Sequence, residues 1–252
     1  MKKEKKPIDY IILVLSPILF ILLWQLACNL EWVNKSIIPS PQRVINSFIR
    51  LLDTGKFQEH LLASIKRVAL GFSFGTIAGI LFGILLGISR KVDDALGVVF
   101  SILRSIPTIG LVPLLILWYG IGEESKVIVI AIATFWSVLL NTQHGISSTD
   151  KKFFEVAMML EKDKFTVLSK IILPAALPSI FTGVRLGLSG AWKSVVAAEM
   201  IASVRGIGYM ISYAREMSQP DVLFVGLLAL GVIGLLLDIV VLKLQKKLIV
   251  WE

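Results

Sequence analysis

The chain has 252 residues, of which 56% are hydrophobic and 17% are charged, and its mean hydropathy is +0.81. A water-soluble domain is roughly 45–50% apolar and about 25% charged, so this composition excludes an ordinary soluble protein. The net charge of +8 comes largely from lysines and arginines beside apolar runs. That arrangement orients membrane helices and argues against nucleic-acid binding. The single cysteine, Cys28, excludes a disulfide within the chain.

Six apolar runs follow one another along the chain, and each is long enough to cross about 30 Å of hydrocarbon as a helix. Pro107 and Pro113 lie within the third run, and we expect a break there because each proline removes a backbone donor. The sequence thus predicts an all-α polytopic membrane protein with about six transmembrane helices. The runs are residues 8–27, 67–88, 96–119, 127–146, 177–201 and 222–242.

The distribution of lysine and arginine favours a cytoplasmic N-terminus. If the KKEKK at the start of the chain is cytoplasmic, the same side receives Lys151, Lys152, Lys162 and the final KLQKK. The other side then receives fewer and more mixed charges. Both termini are therefore expected in the cytoplasm, together with the charged segment between the fourth and fifth runs.

Residues 40–52, SPQRVINSFIRLL, predict a short amphipathic helix on the outer side of the membrane, because Val44, Phe48 and Leu51 share one face. Two interpretations are equally open for this helix. It either lies on the membrane surface or packs on the ends of the spans. We assign residues 1–59 to an N-terminal transmembrane helix followed by this extracytoplasmic segment.

Five glycines in the second run recur at every fourth position, so that one face of the helix lacks side chains over several turns. Glycine is common in membrane helices, but a strict register of this kind favours close packing against a neighbouring helix. We expect this face to have a structural role. The glycines are Gly71, Gly75, Gly79, Gly83 and Gly87.

The stretch EVAMMLEKDKFTVLSKIILP, residues 155–174, is charged yet patterned as helix. Phe153, Ala157 and Leu160 share one face of a first short helix, and Asp163 can cap a second one. We expect Pro174 to end this unit and the fifth span to restart after it. From the residues alone, the unit could either dock on a partner or lie on lipid.

The spacing within this unit resembles the cytoplasmic coupling motif of ATP-binding-cassette importer permeases, which reads E-A-A, three residues, G, nine residues, I-x-L-P. Here it reads Glu155-Val156-Ala157, then Glu161, then IILP at 171–174. Val156 replaces an alanine of the motif, and Glu161 replaces its glycine. A glutamate in the left-handed turn that glycine allows costs roughly 1 kcal/mol.

Further stretches resemble the branch of this family that imports nitrate, taurine and aliphatic sulfonates, and that also includes permeases for pyrimidine vitamin precursors. The resemblance implies a type I ABC importer permease fold, with a binding-protein-dependent transport permease core at residues 60–252 and a two-helix coupling loop at 150–174. The stretches are residues 103–122, 172–192, 197–202 and 206–211.

The same resemblance implies a set of partners. Two ABC ATPase subunits would bind the coupling loops, an extracytoplasmic binding protein would deliver the solute, and a second permease copy would complete a homodimeric pore in the bacterial plasma membrane. The solute would be a small anion such as a sulfonate, taurine or nitrate, or else a pyrimidine vitamin precursor or a riboflavin-like molecule. The implied docking residues are Phe153, Glu155, Ala157, Leu160, Glu161, Leu173 and Pro174.

The chain carries no G-x-x-x-x-G-K-[ST] phosphate loop. We therefore expect a transport subunit that is not an enzyme and holds no cofactor of its own, with ATP and Mg bound by the partner ATPase. Cysteine, histidine and acidic residues also do not cluster in a metal-ligand pattern.

Four ionisable residues fall within or near the spans, where a charge costs about 2.5–3.5 kcal/mol and usually faces a cavity or a partner. They are candidates for a translocation pathway that helps an anion across. Arg185 could instead make structural bonds to loop carbonyls. The candidates are Arg104, Arg185, Lys193 and Glu199.

Two other classes of protein fit parts of the sequence. Gly187-Leu188-Ser189-Gly190 matches the G-x-S-G of rhomboid proteases, but the only histidines, His60 and His144, both precede Ser189, whereas the base of a rhomboid lies on a later span. A stand-alone secondary transporter would suit intramembrane charges and broken helices. It would have no use for a loop that docks an ATPase.

Overall fold

The computed structural model describes residues 7–34, 36–150, 152, 159 and 161–249, and its regular elements there are helical. Three short helical pieces flank the longer helices: a 3₁₀ turn at Thr108–Leu111, a helical turn at Lys164–Val167 and a π-helical stretch at Leu168–Ile172. The longer helices are α1 Pro7–Asn29, α2 Pro41–Asp53, α3 Lys56–Ile88, α4 Arg90–Ser105, α5 Val112–Tyr119, α6 Glu123–Ser147, α7 Leu173–Ala202, α8 Ile207–Glu216 and α9 Pro220–Leu248.

The predicted spans correspond to these helices. Within the described residues, α3, α6, α9 and the continuous helix Phe165–Ala202 are each long and apolar enough to cross a membrane. The pair Arg90–Ser105 and Thr108–Tyr119 counts as one more span if the two pieces are taken together. The first predicted span corresponds to α1, whose segment Leu15–Asn29 is apolar. The prediction of an all-α polytopic membrane protein is therefore confirmed.

The predicted break in the third span is also confirmed, since its two halves are bent by 85°. Ile106 ends α4 with an extended backbone, as expected for a residue before a proline. Pro113 lies in the first turn of α5, where the donor that it lacks has no partner in any case.

The prediction for the segment before the fifth span is wrong in one respect. The second short helix does not end at Pro174 but continues through Leu168–Ile172 into α7. Pro174 lies directly after the π-helical stretch, and both Pro174 and Pro178 are accommodated inside the continuous helix. The predicted first short helix lies outside the described residues.

The glycine face of α3 lies directly against α6. A Cβ atom on Gly79 would come within 2.8 Å of Val138 Cβ, and one on Gly83 within 2.6 Å of Thr142 Cβ. Gly71, Gly75 and Gly87 meet α6 in the same way. Because no side chain separates the two backbones, they approach closely along the whole length of the ridge.

On its other side α6 packs against α7 in a similar manner. A Cβ on Gly183 would lie 2.7 Å from Asn141 Cβ, and one on Gly187 would lie 3.1 Å from a methyl carbon of Thr134. Helix α6 is therefore held between α3 and α7, and these three helices form the centre of the molecule.

Helix α2 packs on the ends of the spans, which decides between the two interpretations of its amphipathic pattern. Its Val44 and Leu51 are buried in one cluster with Ile207 and Ile211 of α8 and Val225 of α9. Ser40 caps the helix by accepting a hydrogen bond from the Arg43 N–H.

The molecule has two ends that matter for function. We call the end at which α3 and α6 finish and the segment 148–163 follows the loop end. The opposite end, where α3 and α6 begin and α7 finishes, is called the far end. Helices α2 and α8 lie at the far end.

Candidate functional site

Arg185 of α7 and Asp238 of α9 form a bidentate ion pair. Arg185 Nε lies 2.5 Å from Asp238 Oδ1, and Nη2 lies 2.8 Å from Oδ2. The two side chains are 41% and 36% exposed. The partner of Arg185 is thus a carboxylate on another span, and no loop carbonyl is needed to satisfy the guanidinium. The pair joins α7 to α9 and neutralises both charges.

A cavity of about 500 Å³ lies between α7 and α9 on one side of this pair. Trp192 and Lys193 line it, and Trp192 Nε1 donates a hydrogen bond of 3.0 Å to the Leu230 carbonyl. A second cavity of about 840 Å³ lies on the side of the loop end and is lined by Thr182 and Lys246. Arg185, Ser189 and Asp238 line both cavities, so the ion pair stands between them.

Lys193 belongs to an exposed stripe along α7. The stripe comprises Thr182, Leu186, Ser189, Lys193 and Met200. Their spacing of three, four or seven residues places them on one helical face. In the described part of the chain no carboxylate pairs with the Lys193 ammonium. Two hydroxyl groups and an unpaired cation are unusual on a face that would otherwise meet lipid.

The other two pathway candidates lie elsewhere. Arg104 is exposed in the last turn of α4, next to the bend. Glu199 is buried at the far end, with none of its side chain exposed. The structure thus brings Arg185 and Lys193 together at the cavity between α7 and α9, and separates Arg104 and Glu199 from them.

Glu199 is the centre of a buried hydrogen-bonded network. Its carboxylate accepts hydrogen bonds from Ser64 Oγ at 2.8 and 2.9 Å, Arg67 Nη1 at 2.7 Å and the Gly208 N–H at 2.9 Å. The guanidinium of Arg67 also donates hydrogen bonds to both carboxylate oxygens of Glu123, at 2.6 and 2.7 Å, and one to the Arg205 carbonyl. These bonds tie the far ends of α3, α6 and α7 to the start of α8.

Two glycines make the approach of Glu199 to α8 possible. Gly206 has a φ of +125°, and a Cβ there would collide with the Glu199 carboxylate. A Cβ on Gly208 would lie 2.9 Å from Glu199 Cβ. With Ser64 Oγ accepting from the Ile207 N–H at 2.9 Å, the first donors of α8 are satisfied by groups from two other helices.

Sequence reasoning missed Ser64, Arg67, Glu123 and Asp238 as members of these sites. The sequence contains one signal that could have found them. Glu199 is an isolated carboxylate in an apolar span, and such a group usually pairs with a cation at a similar depth in the membrane. Arg67 lies near the start of one span and Glu199 near the end of another, so antiparallel helices place them at the same level.

Three of the seven implied docking residues of the coupling loop are described. Glu161 has a φ of +50°, so the left-handed turn is kept although glutamate replaces glycine. Leu173 and Pro174 begin α7. Phe153, Glu155, Ala157 and Leu160 lie outside the described residues.

Asp163 caps the helical turn that follows this left-handed residue, as the sequence predicts. Its Oδ2 accepts a hydrogen bond of 3.0 Å from the Thr166 N–H. Hydrogen bonds from the side chain and the backbone of Thr166 lower the pKa of the Asp163 carboxyl below its ordinary value. The same hydrogen bonds therefore favour the ionised carboxylate, which is the form that caps the helical turn.

The family described as binding-protein-dependent transport system inner membrane component matches residues 75–250, which is more than half of the chain. SsuC of Bacillus subtilis, which carries the name aliphatic sulfonates transport permease protein, is 41% identical over 239 residues, covering 95% of this chain and 87% of SsuC. The nitrate import permease protein NrtB of Synechocystis is 34% identical, covering 94% of this chain and 90% of NrtB. The chain therefore belongs to this family of permeases.

The fold is similar to that of a solved importer. An inward-facing structure of the MetNI methionine ABC transporter aligns with a TM-score of 0.67 at 16% identity, covering 80% of this chain and 97% of the other. At this identity the likeness concerns the fold alone. It agrees with the type I permease fold that the coupling motif implied.

Membership of the family defines the class of protein. The chain is the membrane-spanning permease subunit of an ABC importer, in the branch of sulfonate, taurine and nitrate permeases. It is a multi-pass membrane protein that performs no catalysis and has no nucleotide site of its own. Transport depends on a separate ATPase and a binding protein.

Proposed function

We propose that this permease imports a small solute with an anionic group, of the sulfonate, taurine or nitrate class, and that Lys193 attracts that group into the pathway. The ammonium of Lys193 lies at the cavity between α7 and α9 and pairs with no carboxylate of the described residues, and this is the observation that carries the proposal. The names of SsuC and NrtB support it, because sulfonates and nitrate are anions.

The charges of the cavity favour an anion over a neutral solute. Asp238 neutralises Arg185, so Lys193 supplies a net positive charge of one to the residues that line the cavity. A lone ammonium in hydrocarbon would cost about 2.5–3.5 kcal/mol, whereas a wet pathway with a passing anion removes most of that cost. The hydroxyls of Thr182 and Ser189 on the same face suit such a pathway.

The remaining parts of the proposal concern assembly. Two copies of the chain form the pore with their α7 stripes turned toward it, in the plasma membrane of a bacterium, and both termini lie in the cytoplasm. Residues 150–174 dock on the ATPase there. The lysine distribution supports this orientation, and the left-handed turn at Glu161 supports the docking role.

Uptake by the reconstituted transporter tests the role of Lys193. We expect Lys193→Met to lower uptake of a sulfonate or nitrate by at least tenfold, and Lys193→Arg, which keeps the charge, to retain most of it. Solute affinity of the binding protein should not change. Lys243→Met, which removes an exposed lysine from α9, serves as the matched control.

Two results would contradict the proposal. Full anion uptake by Lys193→Met would remove Lys193 from the pathway. Equal uptake by the methionine and arginine variants, together with transport of a neutral pyrimidine precursor, would assign the permease to the other solute class.

A further inference from the structure

A groove of about 520 Å³ opens at the far end, between the end of α2, the start of α3 and α8. It is separate from the cavities between α7 and α9, and it lies opposite the coupling loop. Charged and aromatic side chains line it, among them Arg50, Lys56, Arg205, Tyr209 and Tyr213. The role described for the pathway does not use any of these residues.

The groove is positively charged. Three cations line it, Arg50, Lys56 and Arg205, against the single carboxylate of Glu59, which pairs with Arg205 at 2.9 Å. The side chains of Arg50 and Arg205 are 65% and 64% exposed. Beneath the groove, Asp221 lies 3.6 Å from Arg50 but is almost fully buried. In the described part of the chain, no carboxylate pairs with Lys56.

The wall of the groove is held rigidly by the buried network. The Arg205 carbonyl accepts a hydrogen bond of 2.7 Å from Arg67, and the Gly206 N–H donates to His60 Nδ1 at 3.2 Å. These bonds fix the turn whose tip, Val204, is 77% exposed. A preformed surface of this kind loses little conformational entropy when a partner binds.

We propose that this groove is the docking site for an acidic projection of the extracytoplasmic binding protein. A partner carboxylate lies between Lys56 and Arg205, while an apolar group beside it contacts Val204 and Tyr213. The family depends on a binding protein, and the groove combines an excess of positive charge with exposed apolar groups, which suits transient docking of an acidic partner surface. The inference rests on the proposed orientation, in which the far end faces outward.

Binding measured directly tests this assignment. The transporter, with its ATPase, is placed in nanodiscs of phosphatidylcholine, and the affinity of its binding protein is measured at low and high salt. We expect Lys56→Glu to weaken binding at least tenfold at low salt and to reduce its salt dependence. Val204→Asp should weaken it as well, without touching any ion pair.

Arg215→Glu is the matched control, because Arg215 is equally exposed on α8 but does not line the groove. It should bind as the wild type does. Lys56→Gln is a milder change that should not disturb folding. Its affinity for the binding protein should lie between those of the wild type and Lys56→Glu. Reversing one acidic residue on the binding protein to lysine should restore affinity to Lys56→Glu.

Several outcomes would overturn the proposal. Wild-type affinity for both Lys56→Glu and Val204→Asp would exclude the groove, and so would an equal loss for Arg215→Glu. If Lys56→Glu matters only when phosphatidylglycerol is present, the groove holds a lipid headgroup instead. Nanodiscs expose both ends and no transport is measured, so a failure of the Lys193 pathway would leave this result unchanged.

Discussion

Arg67 and Glu199 form an ion pair, with 2.7 Å between Arg67 Nη1 and Glu199 Oε1, in which the side chains are only 4% and 0% exposed. The pair joins the far ends of α3 and α7, and the same carboxylate anchors the start of α8. Loss of one partner leaves a buried charge without compensation, which typically costs about 3–5 kcal/mol.

We therefore expect Arg67→Met to lower the free energy of unfolding by about 3–5 kcal/mol, and to lower the thermal unfolding temperature of the detergent-solubilised protein accordingly. Arg185→Met is the control, because its partner Asp238 is 36% exposed and can be solvated. An Arg67→Met protein that unfolds at the same temperature as Arg185→Met would contradict the structural role of the network.

Gly79→Leu should damage the packing of α3 against α6. A Cβ at this position already lies within 2.8 Å of Val138 Cβ, so the two helices must separate to admit a larger side chain. Overpacking of this kind costs typically about 1–3 kcal/mol. Gly231→Leu on α9 provides the comparison, since a Cβ there meets nothing within 4 Å. Thermal unfolding of both variants should show a lower unfolding temperature for Gly79→Leu only. Equal unfolding temperatures would mean that the glycine face of α3 does not pack against another helix.

In contrast to the destabilising substitutions above, a substitution at the left-handed turn of Glu161 should stabilise the protein. Replacing Glu161 by glycine should stabilise the turn by roughly 1 kcal/mol, because glycine adopts a φ of +50° without strain. We expect Glu161→Gly to keep the ATPase bound in co-purification and to preserve uptake. Glu161→Val, which cannot adopt this φ without further strain, should lower both.

The contrast between these variants decides what the turn does. If Glu161→Gly lost the ATPase while Glu161→Val retained it, the glutamate side chain would itself be a docking group. Ala157→Asp serves as the positive control, since a charge on the apolar stripe predicted to dock should release the ATPase.

The helices and the broken span could be predicted from the sequence because they depend on local properties. Twenty consecutive apolar residues form a helix in lipid, and Pro107 disfavours the helical conformation of the residue before it, so a break there is expected. The glycine ridge is local as well, since its register alone defines a bare face on α3.

The ion pairs could not be predicted in full, because they depend on how separate helices are arranged. Lys193 and Glu199 are six residues apart on α7, yet one lies at a cavity and the other is buried among Ser64 and Arg67. The sequence gives no direct indication that Asp238 lies opposite Arg185. The continuation of the helix through Leu168–Ile172 into α7 contradicts the expectation that Pro174 ends the helix, because a membrane helix can accommodate a proline.

The most direct test of the pathway is the reactivity of a thiol placed on the α7 stripe. In a Cys28→Ser background, Ser189→Cys should react rapidly with a negatively charged, water-soluble methanethiosulfonate, because it faces a wet pathway beside the Lys193 cation. The transported anion should slow that reaction, and a positively charged reagent should react more slowly. Leu235→Cys on α9, which is 60% exposed but lines neither cavity, should stay unreactive. A Ser189→Cys protein that is as unreactive as Leu235→Cys would contradict the account.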